Sequence, residues 1–140
     1  MTRQASLRKT VEQLVAEARA RFDRVTPADA AAAMAAGAIL IDTRSSDVRR
    51  RDGAVPGAHH VPLSVLPWRV DPSSPYRNPE VARPDARVIL LCAEGYSSSL
   101  AAAWLKDLGF ARVADLDGGF EAWRAAGLPV EPVAPVEGDG

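Results

Sequence analysis

The chain has 140 residues, which is enough for one domain with a hydrophobic core and few for two. Its 17 basic and 18 acidic residues give a formal net charge of −1, which does not favour nucleic acid or a membrane as the main partner. The apolar runs are shorter than a membrane span and the charged N-terminus lacks a signal core, so we predict a cytoplasmic protein. The single cysteine excludes an internal disulfide, a Cys-x-x-Cys redox pair and a cysteine zinc cluster.

The first predicted element is an amphipathic helix over residues 5–24, within an N-terminal helical extension of residues 1–24. Its apolar residues recur at three- and four-residue spacing, and its other face is charged. We expect the apolar stripe to pack on the domain, and dimerisation through the same stripe is the alternative. The stripe consists of Leu7, Val11, Leu14, Val15, Ala18 and Phe22.

A second helix is predicted to begin after Thr26, a typical N-cap residue, with Pro27 at the first helical position. The apolar run at 38–41 then predicts a buried strand that brings Asp42 and Arg44 to its carboxyl end. We interpret these two residues as an ion pair that braces the following loop. Acid–base catalysis by Asp42 is the alternative.

His59 and His60 follow a glycine-containing turn and are predicted to lie on a short strand. Neighbours on a strand point to opposite faces, so only one of the two could face a site. No acidic or cysteine ligand follows at metal spacing, so we expect no metal site. General-base work by one histidine is a minor alternative.

The segment 64–84 contains five prolines and is predicted to lack regular structure. Loops of this length often cover functional sites. Trp68, Arg69, Tyr76 and Arg77 are therefore candidates for the entrance to a site. The alternative places Trp68 in the core and the arginines in solvent.

The most informative stretch joins a buried strand at 88–91 to a helix through a short polar turn that begins at Cys92. Ser97–Ser99 are N-cap residue types ahead of an apolar helical pattern, and Gly95 allows a tight turn. The backbone N–H groups of the turn and the positive helix terminus would then point towards Cys92 and favour its thiolate. A buried, unreactive cysteine is the alternative.

The helix after this turn is predicted to reach about residue 108, and a strand at 111–116, a glycine turn and a short helix follow. Trp104 and Trp123 fall in the helical patterns and are predicted to lie in the core. Residues 131–140 are predicted to be a disordered tail. Strands that alternate with helices indicate an α/β domain, with a parallel sheet, helices on both faces and ligands at the carboxyl ends of the strands.

Three segments, in this order, resemble the rhodanese family of sulfurtransferases. They are Leu40-Ile-Asp42-Thr-Arg44 with Gly53-Ala-Val-Pro56-Gly57-Ala58, the six-residue loop Cys92-Ala-Glu-Gly-Tyr-Ser97, and Leu116-Asp-Gly118-Gly119-Phe120-Glu-Ala-Trp123. The resemblance implies a single rhodanese-like domain over residues 25–130, folded as a three-layer sandwich. It also implies a structural role for Asp42 and Arg44, a nucleophilic Cys92, and a substrate-binding loop made of Ala93, Glu94, Gly95, Tyr96 and Ser97.

The chemistry that the resemblance implies is sulfur transfer without a metal or cofactor. The Cys92 thiolate would take a sulfane sulfur from a small donor or a persulfidated protein, hold it as a persulfide, and pass it to a thiol acceptor. A binding or redox-sensing module without turnover is the alternative within the family. The chain departs from the family in having Arg49, Arg50 and Arg51, with one extra residue, where an aromatic residue is usual. It also has Glu94 where members that use thiosulfate often have a basic residue, so we expect thiosulfate to be a poor donor.

A cysteine phosphatase with the pattern C-x5-R is the rival outside this family. Its arginine position falls on Ser98, and the first arginine after Cys92 is Arg112. A phosphoryl transition state needs that planar cation. We therefore predict no meaningful phosphatase activity.

Overall fold

The structure, a computed structural model, describes residues 7–135, and its centre is a five-stranded sheet in which every pairing is parallel. The strands are β1 (Asp23–Val25), β2 (Ile39–Asp42), β3 (His59–His60), β4 (Arg87–Leu91) and β5 (Arg112–Leu116), and they lie side by side in the order β1-β5-β4-β2-β3. The helices are α1 (Val11–Arg19), α2 (Pro27–Ala35), α3 (Ser46–Asp52), α4 (Leu66–Val70), α5 (Ser97–Asp107) and α6 (Gly119–Ala125).

The sheet carries a separate hydrophobic core on each face, because successive residues of a strand point to opposite sides. Val88 and Leu90 of β4 face one core, which includes side chains of α4 and α5. Ile89 and Leu91 face the other core, which includes side chains of α2 and α6. Two helical layers with a parallel sheet between them confirm the predicted three-layer α/β fold.

Helix α1 is shorter than the predicted helix over residues 5–24. Thr10 begins it with a capping box, in which its hydroxyl accepts from the Gln13 N–H and the Gln13 side chain accepts from the Thr10 N–H. At the other end, residues Asp23–Val25 are not helical, because they form strand β1 and pair with β5. The part of the prediction over residues 5–6 lies outside the described residues.

The apolar stripe of α1 is covered only in part. Helix α1 packs against α5, and Ala18 is buried there. Leu7, Val11 and Leu14 remain 73%, 60% and 43% exposed. Dimerisation through this stripe therefore stays a prediction.

The two helical tryptophans have different outcomes. Trp123 is buried as predicted, and its indole N–H donates to the Pro129 carbonyl at 2.8 Å. The core prediction for Trp104 is wrong, since this side chain is 41% exposed. Helical periodicity placed Trp104 on an apolar face, but the elements around α5 within residues 7–135 leave part of this side chain exposed.

Two short helices depart from the predicted pattern. Helix α3 begins after Ser45, whose hydroxyl accepts from the Val48 N–H, so the arginine-rich insert is helical. Helix α4 lies inside the proline-rich segment that was predicted to be irregular. Pro67 falls in its first turn, where a missing N–H costs no hydrogen bond.

The predicted tail starts with an ordered residue. The N–H and C=O groups of Glu131 pair with those of Ala54 in an antiparallel bridge, at 2.8 and 2.9 Å. Residues 136–140 lie outside the described residues. The boundaries at 25 and 131 remain a prediction about domain organisation.

No helix within residues 7–135 combines the length and the apolar character needed to cross a bilayer. The cytoplasmic location stays a prediction.

Candidate active site

Cys92 directly follows β4, the middle strand of the sheet, at the carboxyl edge where ligands bind in open parallel sheets. The residues from Cys92 to Ser97, here called the Cys92 loop, connect β4 to the first residue of α5. Cys92 is 5% exposed. The sequence therefore places its one thiol between a rigid strand and a helix N-terminus, as predicted.

Three polar groups contact the sulfur of Cys92. The Gly95 N–H donates to Sγ at 3.1 Å and the Ser98 N–H donates to it at 3.4 Å. The Ser98 hydroxyl oxygen lies 3.2 Å from Sγ. Burial opposes ionisation of the thiol, but hydrogen bonds from Ser98, Ser97 and Gly95 outweigh it and hold the pKa of Cys92 below its ordinary value. A thiol in these surroundings is a strong candidate nucleophile.

The predicted substrate-binding residues of the Cys92 loop do not all approach the sulfur. Among the amides of residues 93–97, the one that contacts Sγ is that of Gly95. Ala93, Glu94 and Tyr96 are exposed to solvent. Their contact with a substrate remains a prediction.

Ser98 is a site residue that the sequence reasoning missed. The serines at 97–99 were predicted as N-cap types, but the N-cap is Tyr96, which makes no side-chain cap. Ser98 and Ser99 are fully buried. The Ser99 hydroxyl donates to Asp115 at 2.7 Å, and the Ser98 hydroxyl lies 3.2 Å from Asp115 and 3.2 Å from the Cys92 sulfur, so these two acceptors compete for its single hydrogen. The buried carboxylate accepts hydrogen bonds from hydroxyl groups, whereas the free N–H groups of a helix N-terminus can only donate to them.

Asp115 is a second missed residue. It lies in β5, is 0% exposed, and accepts from Arg24 Nε at 2.9 Å and Arg24 Nη2 at 3.2 Å, as well as from the two serines. The available signal was an acidic residue inside an otherwise apolar strand pattern. Asp115 connects the cation of Arg24 to the serine that contacts the sulfur.

The predicted glycine turn before α6 packs directly on the Cys92 loop. The Phe120 N–H donates to the Cys92 carbonyl at 2.8 Å, and the Glu121 N–H donates to the Ala93 carbonyl at 3.1 Å. A Cβ atom on Gly119 would lie 2.5 Å from the Cys92 carbonyl oxygen. This turn therefore requires glycine because two backbones meet there.

Asp42 and Arg44 form the predicted ion pair. The Arg44 side chain donates to both carboxylate oxygens of Asp42, at 3.0 and 2.8 Å, and both residues are buried. Arg44 also donates to the Gly53 carbonyl, and its guanidinium lies over the Phe120 ring at 3.9 Å. The pair thus connects the end of β2 to the chain after α3 and to α6, which agrees with a structural role.

The two histidines of β3 have separate partners, as expected for strand neighbours. His60 Nε2 lies 2.7 Å from the Arg44 carbonyl oxygen, and His59 Nδ1 lies 3.3 Å from a carboxylate oxygen of Glu80. His60 thus belongs to the loop that the Asp42–Arg44 pair braces.

Arg69 and Arg77 of the proline-rich segment donate to carbonyl groups of the same segment. Arg69 donates to the Tyr76 carbonyl at 2.6 Å, and Arg77 donates to the Ser74 carbonyl at 3.0 Å. Trp68 is 57% exposed, so the alternative that places it in the core is wrong; it lines an apolar pocket together with Trp104. Contact of Trp68, Arg69 or Arg77 with a substrate stays a prediction.

Two arginines from the beginning of the chain reach the Cys92 loop. Arg19 of α1 and Arg24 of β1 each donate to the Gly95 carbonyl at 2.8 Å. The sequence reasoning named Arg69 and Arg77 as candidate cations for the site and missed Arg19 and Arg24, because nothing in the local pattern connects residues 19–24 to Cys92. Pairing of β1 with β5 brings the distant segment next to it.

The sequence model of the Rhodanese-like domain family matches residues 26–126. The chain belongs to the rhodanese-like domain family. The family predicted from three short motifs is therefore confirmed, together with its fold.

Curated relatives of this rhodanese-like chain are named thiosulfate sulfurtransferase GlpE. The protein from Stutzerimonas stutzeri (strain A1501) is 36% identical over 103 residues, which cover 74% of this chain and 85% of the relative. The protein from Pseudomonas fluorescens (strain SBW25) is 37% identical over 103 residues, with the same coverage of 74% and 85%. These names agree with the prediction of a transferase.

Solved structures show the same fold. A protein of unknown function from Rhodopseudomonas palustris CGA009, described as a possible tyrosine phosphatase, matches with a TM-score of 0.82 and 34% identity, over 89% of this chain and 96% of that one. Thiosulfate sulfurtransferase from Pseudomonas aeruginosa matches with a TM-score of 0.65 and 29% identity, over 80% of this chain and 20% of that one.

Proposed function

We propose that this rhodanese-like chain is a sulfurtransferase that carries a sulfane sulfur on Cys92. The observation that supports this proposal most is that the Cys92 sulfur, at the carboxyl edge of the sheet, accepts hydrogen bonds from two backbone N–H groups. The names of the relatives at 36% and 37% identity support the same reaction class.

The first half-reaction forms the persulfide. The Cys92 thiolate attacks the outer sulfur of a sulfane donor, a new S–S bond forms, and the donor's own bond to that sulfur breaks. The leaving group departs with the electron pair, as sulfite if the donor is thiosulfate. Cys92 then carries one additional sulfur with a negative charge.

The second half-reaction returns the enzyme to its starting state. An acceptor thiolate attacks the outer sulfur of the persulfide, and the Cys92 sulfur leaves as a thiolate. The chain has one cysteine, so the acceptor thiol belongs to another molecule. No electrons are gained or lost overall, which is why the reaction needs no redox cofactor.

The surroundings of Cys92 suit both half-reactions. The sulfur begins and ends the cycle as an anion, and the N–H groups of Gly95 and Ser98 donate to it. Both donors are fixed by the turn, since Ser98 is in the first turn of α5 and Gly95 packs against Gly118. Fixed donors stabilise the anion without reorganising during the reaction.

The choice of donor stays a prediction. Glu94 provides the reason to expect poor use of thiosulfate, because a carboxylate in the loop repels a dianion. Its side chain is exposed, which allows solvent to screen this repulsion, and Arg19 and Arg24 lie at the same loop. The effect of Glu94 is therefore expected to be modest, and persulfides, polysulfides and protein-bound sulfur remain the predicted donors.

Intact mass spectrometry tests the proposal directly. Wild-type protein treated with thiosulfate, polysulfide or a low-molecular-weight persulfide should gain the mass of one sulfur atom, and a thiol should remove it. Cys92→Ser should keep the fold and gain nothing. Transfer activity that survives in Cys92→Ser would disprove the proposal. Oxygen uptake by Cys92 from peroxide, without sulfur uptake from any donor, would favour the redox-sensing alternative.

Phosphatase activity is a separate question, raised by the description of the Rhodopseudomonas palustris protein. Ser98 occupies the arginine position of C-x5-R, and its hydroxyl is committed between Asp115 and the Cys92 sulfur. We therefore expect no hydrolysis of p-nitrophenyl phosphate above background. Turnover that disappears in Cys92→Ala would show that this argument is wrong.

A further inference from the structure

Both backbone polar groups of Gly95, its N–H and its carbonyl, form hydrogen bonds at the site. Its N–H donates to the Cys92 sulfur at 3.1 Å, and its φ of +88° lies in the region that favours glycine. Its carbonyl accepts from Arg19 and Arg24, each at 2.8 Å. Hydrogen bonds from charged donors are about twice as strong as neutral ones, so this carbonyl is held firmly.

Arg24 is anchored before it reaches Gly95. Its side chain is 21% exposed and forms ion pairs with Asp115 and Asp117, both at 2.9 Å. Its Nη2, which also donates to Asp115, donates to the Gly95 carbonyl at 2.8 Å. Because Arg24 is fixed by two carboxylates, it can fix the position of a third group.

Arg19 is held differently. Its Nε donates to the Ser99 hydroxyl at 3.0 Å, and its guanidinium lies 5.7 Å from the centre of the Tyr96 ring. Within residues 7–135, the acceptors of Arg19 are neutral oxygens and no carboxylate pairs with it. The positive charge of Arg19 is therefore not neutralised by a contact and acts on the Cys92 loop.

Both arginines precede residue 26, where the match to the family begins. We infer that Arg19 and Arg24 are positioning residues for Cys92, which keep the Gly95 carbonyl away from the sulfur and its N–H on the sulfur. The segment before the family domain is then part of the reacting site. This inference rests on the proposed function only in taking Cys92 as the reacting group.

The other charged groups around Cys92 act on the same thiolate. Glu94 is exposed on the loop, and Asp115 faces Ser98 from β5. At the end of β2, Asp42 forms ion pairs with both Arg44 and Arg49, at 2.8 and 3.1 Å. Arg24 is paired with Asp115 and Asp117, whereas the acceptors of Arg19 at the Cys92 loop are neutral oxygens. Removal of the Arg19 charge should therefore raise the pKa of Cys92.

The test measures the rate of Cys92 alkylation by iodoacetamide as a function of pH, in Arg19→Gln and in a matched control, Arg21→Gln. Arg21 also connects the N-terminal segment to α5, through an exposed ion pair with Asp107, but it does not contact the Cys92 loop. We expect Arg19→Gln to lower the alkylation rate at about pH 6 by about three- to tenfold, because fewer molecules are ionised. Arg21→Gln should follow the wild-type profile.

Arg24→Lys is the second variant, since it keeps a positive charge beside Asp115 and protects the fold. Loss of the guanidinium fork should shift the alkylation profile in the same direction as Arg19→Gln. Wild-type profiles in both variants, whatever their melting temperatures, would overturn the inference. Alkylation needs no sulfur donor, so a shifted profile in a protein that fails to transfer sulfur would remove the proposed function and leave this inference standing.

Discussion

Two buried carboxylates lie on either side of the strand that ends at Cys92, and each is paired with an arginine. Asp42 ends β2, and its partner Arg44 is two residues away along the chain. Asp115 lies in β5, and its partner Arg24 is separated from it by 91 residues. Strands β2 and β5 are the two neighbours of β4 in the sheet. The same chemical pair therefore occurs twice at the same edge.

The two pairs differ in what else the groups touch. The Asp42–Arg44 pair contacts backbone and an aromatic ring, through Gly53 and Phe120. Asp115 contacts Ser98, and Ser98 contacts the Cys92 sulfur. The role of each buried ion pair therefore depends on what its groups contact besides each other. The Asp42–Arg44 pair braces the backbone, whereas the Asp115–Arg24 pair is part of the reacting site. Substitutions in each pair should separate stability from reactivity.

The largest effect on stability is expected for Asp42→Ala. Arg44 would keep its charge in a position where its side chain is 2% exposed, without a carboxylate partner. We expect the free energy of unfolding to fall by about 3–5 kcal/mol, measured by urea denaturation. Asp47→Ala is the control, since Asp47 pairs with Arg50 on the surface of α3 and should cost less than about 1 kcal/mol. Equal losses in the two variants would contradict the bracing role.

Gly95→Ala should lower the free energy of unfolding by disturbing the β5 side of the site, where the Cys92 loop packs against the chain after β5. Its Cβ would lie 2.8 Å from the Gly118 nitrogen, in addition to the strain of a positive φ. Gly109→Ala isolates the strain, because Gly109 has a φ of +96° and open space around it. We expect about 1–2 kcal/mol for Gly109→Ala and a larger loss for Gly95→Ala. Only Gly95→Ala should also slow alkylation of Cys92, and equal behaviour of both variants would show that the contact with Gly118 yields easily.

Ser98→Ala should change reactivity more than stability. It removes a hydroxyl that lowers the pKa of Cys92, so that pKa should rise towards its ordinary value of about 8.5. We expect the alkylation rate at about pH 6 to fall by about tenfold, since a hydrogen bond to a charged group contributes about 1.5–3 kcal/mol. Ser74→Ala is the control, because Ser74 is also a buried serine, but its hydroxyl accepts from the Tyr76 N–H within the proline-rich segment.

Asp115→Asn should change the pKa of Cys92 in the direction opposite to that expected for Ser98→Ala. The substitution removes a negative charge near the sulfur, and with it the charged acceptor that competes with the sulfur for the single Ser98 hydroxyl hydrogen. We expect a lower pKa of Cys92 and faster alkylation at about pH 6. A slower rate in Asp115→Asn would mean that Asp115 acts chiefly by orienting Ser98.

The smallest effect is expected for Glu94→Lys, which tests an exposed carboxylate against the two buried ones. Two unit charges about 4 Å apart in water interact by about 1 kcal/mol, and screening at the exposed Glu94 side chain reduces this further, so kcat/KM for thiosulfate should rise by less than about fivefold in total. The gain should shrink at high salt and be absent for a neutral donor. An equal change for both donors would show that Glu94 does not select the donor.

The sequence predicted the features that depend on neighbours along the chain. Hydrophobic patterns located β2, β4 and α5, and the spacing of Asp42 and Arg44 indicated their ion pair before any fold was known. The position of Cys92 between a strand and a helix, with glycine in the turn, was also readable from local pattern. These features are local because periodicity, capping types and turn residues act over only a few positions.

By itself, then, the sequence determined the family, the parallel α/β sheet, the Cys92 loop and the Asp42–Arg44 brace. The tertiary structure alone decided that Arg24 meets Asp115, that Arg19 and Arg24 hold Gly95, and that Ser98 contacts the sulfur instead of capping α5. It also decided that Trp104 stays exposed. The physical reason is that the contacts of Arg19 and Arg24 join segments that are distant in the chain, and they exist only because β1 lies beside β5 and α1 lies against α5. Ser98 is close to Cys92 along the chain, but its hydroxyl turns inward because β5 places Asp115 beside it.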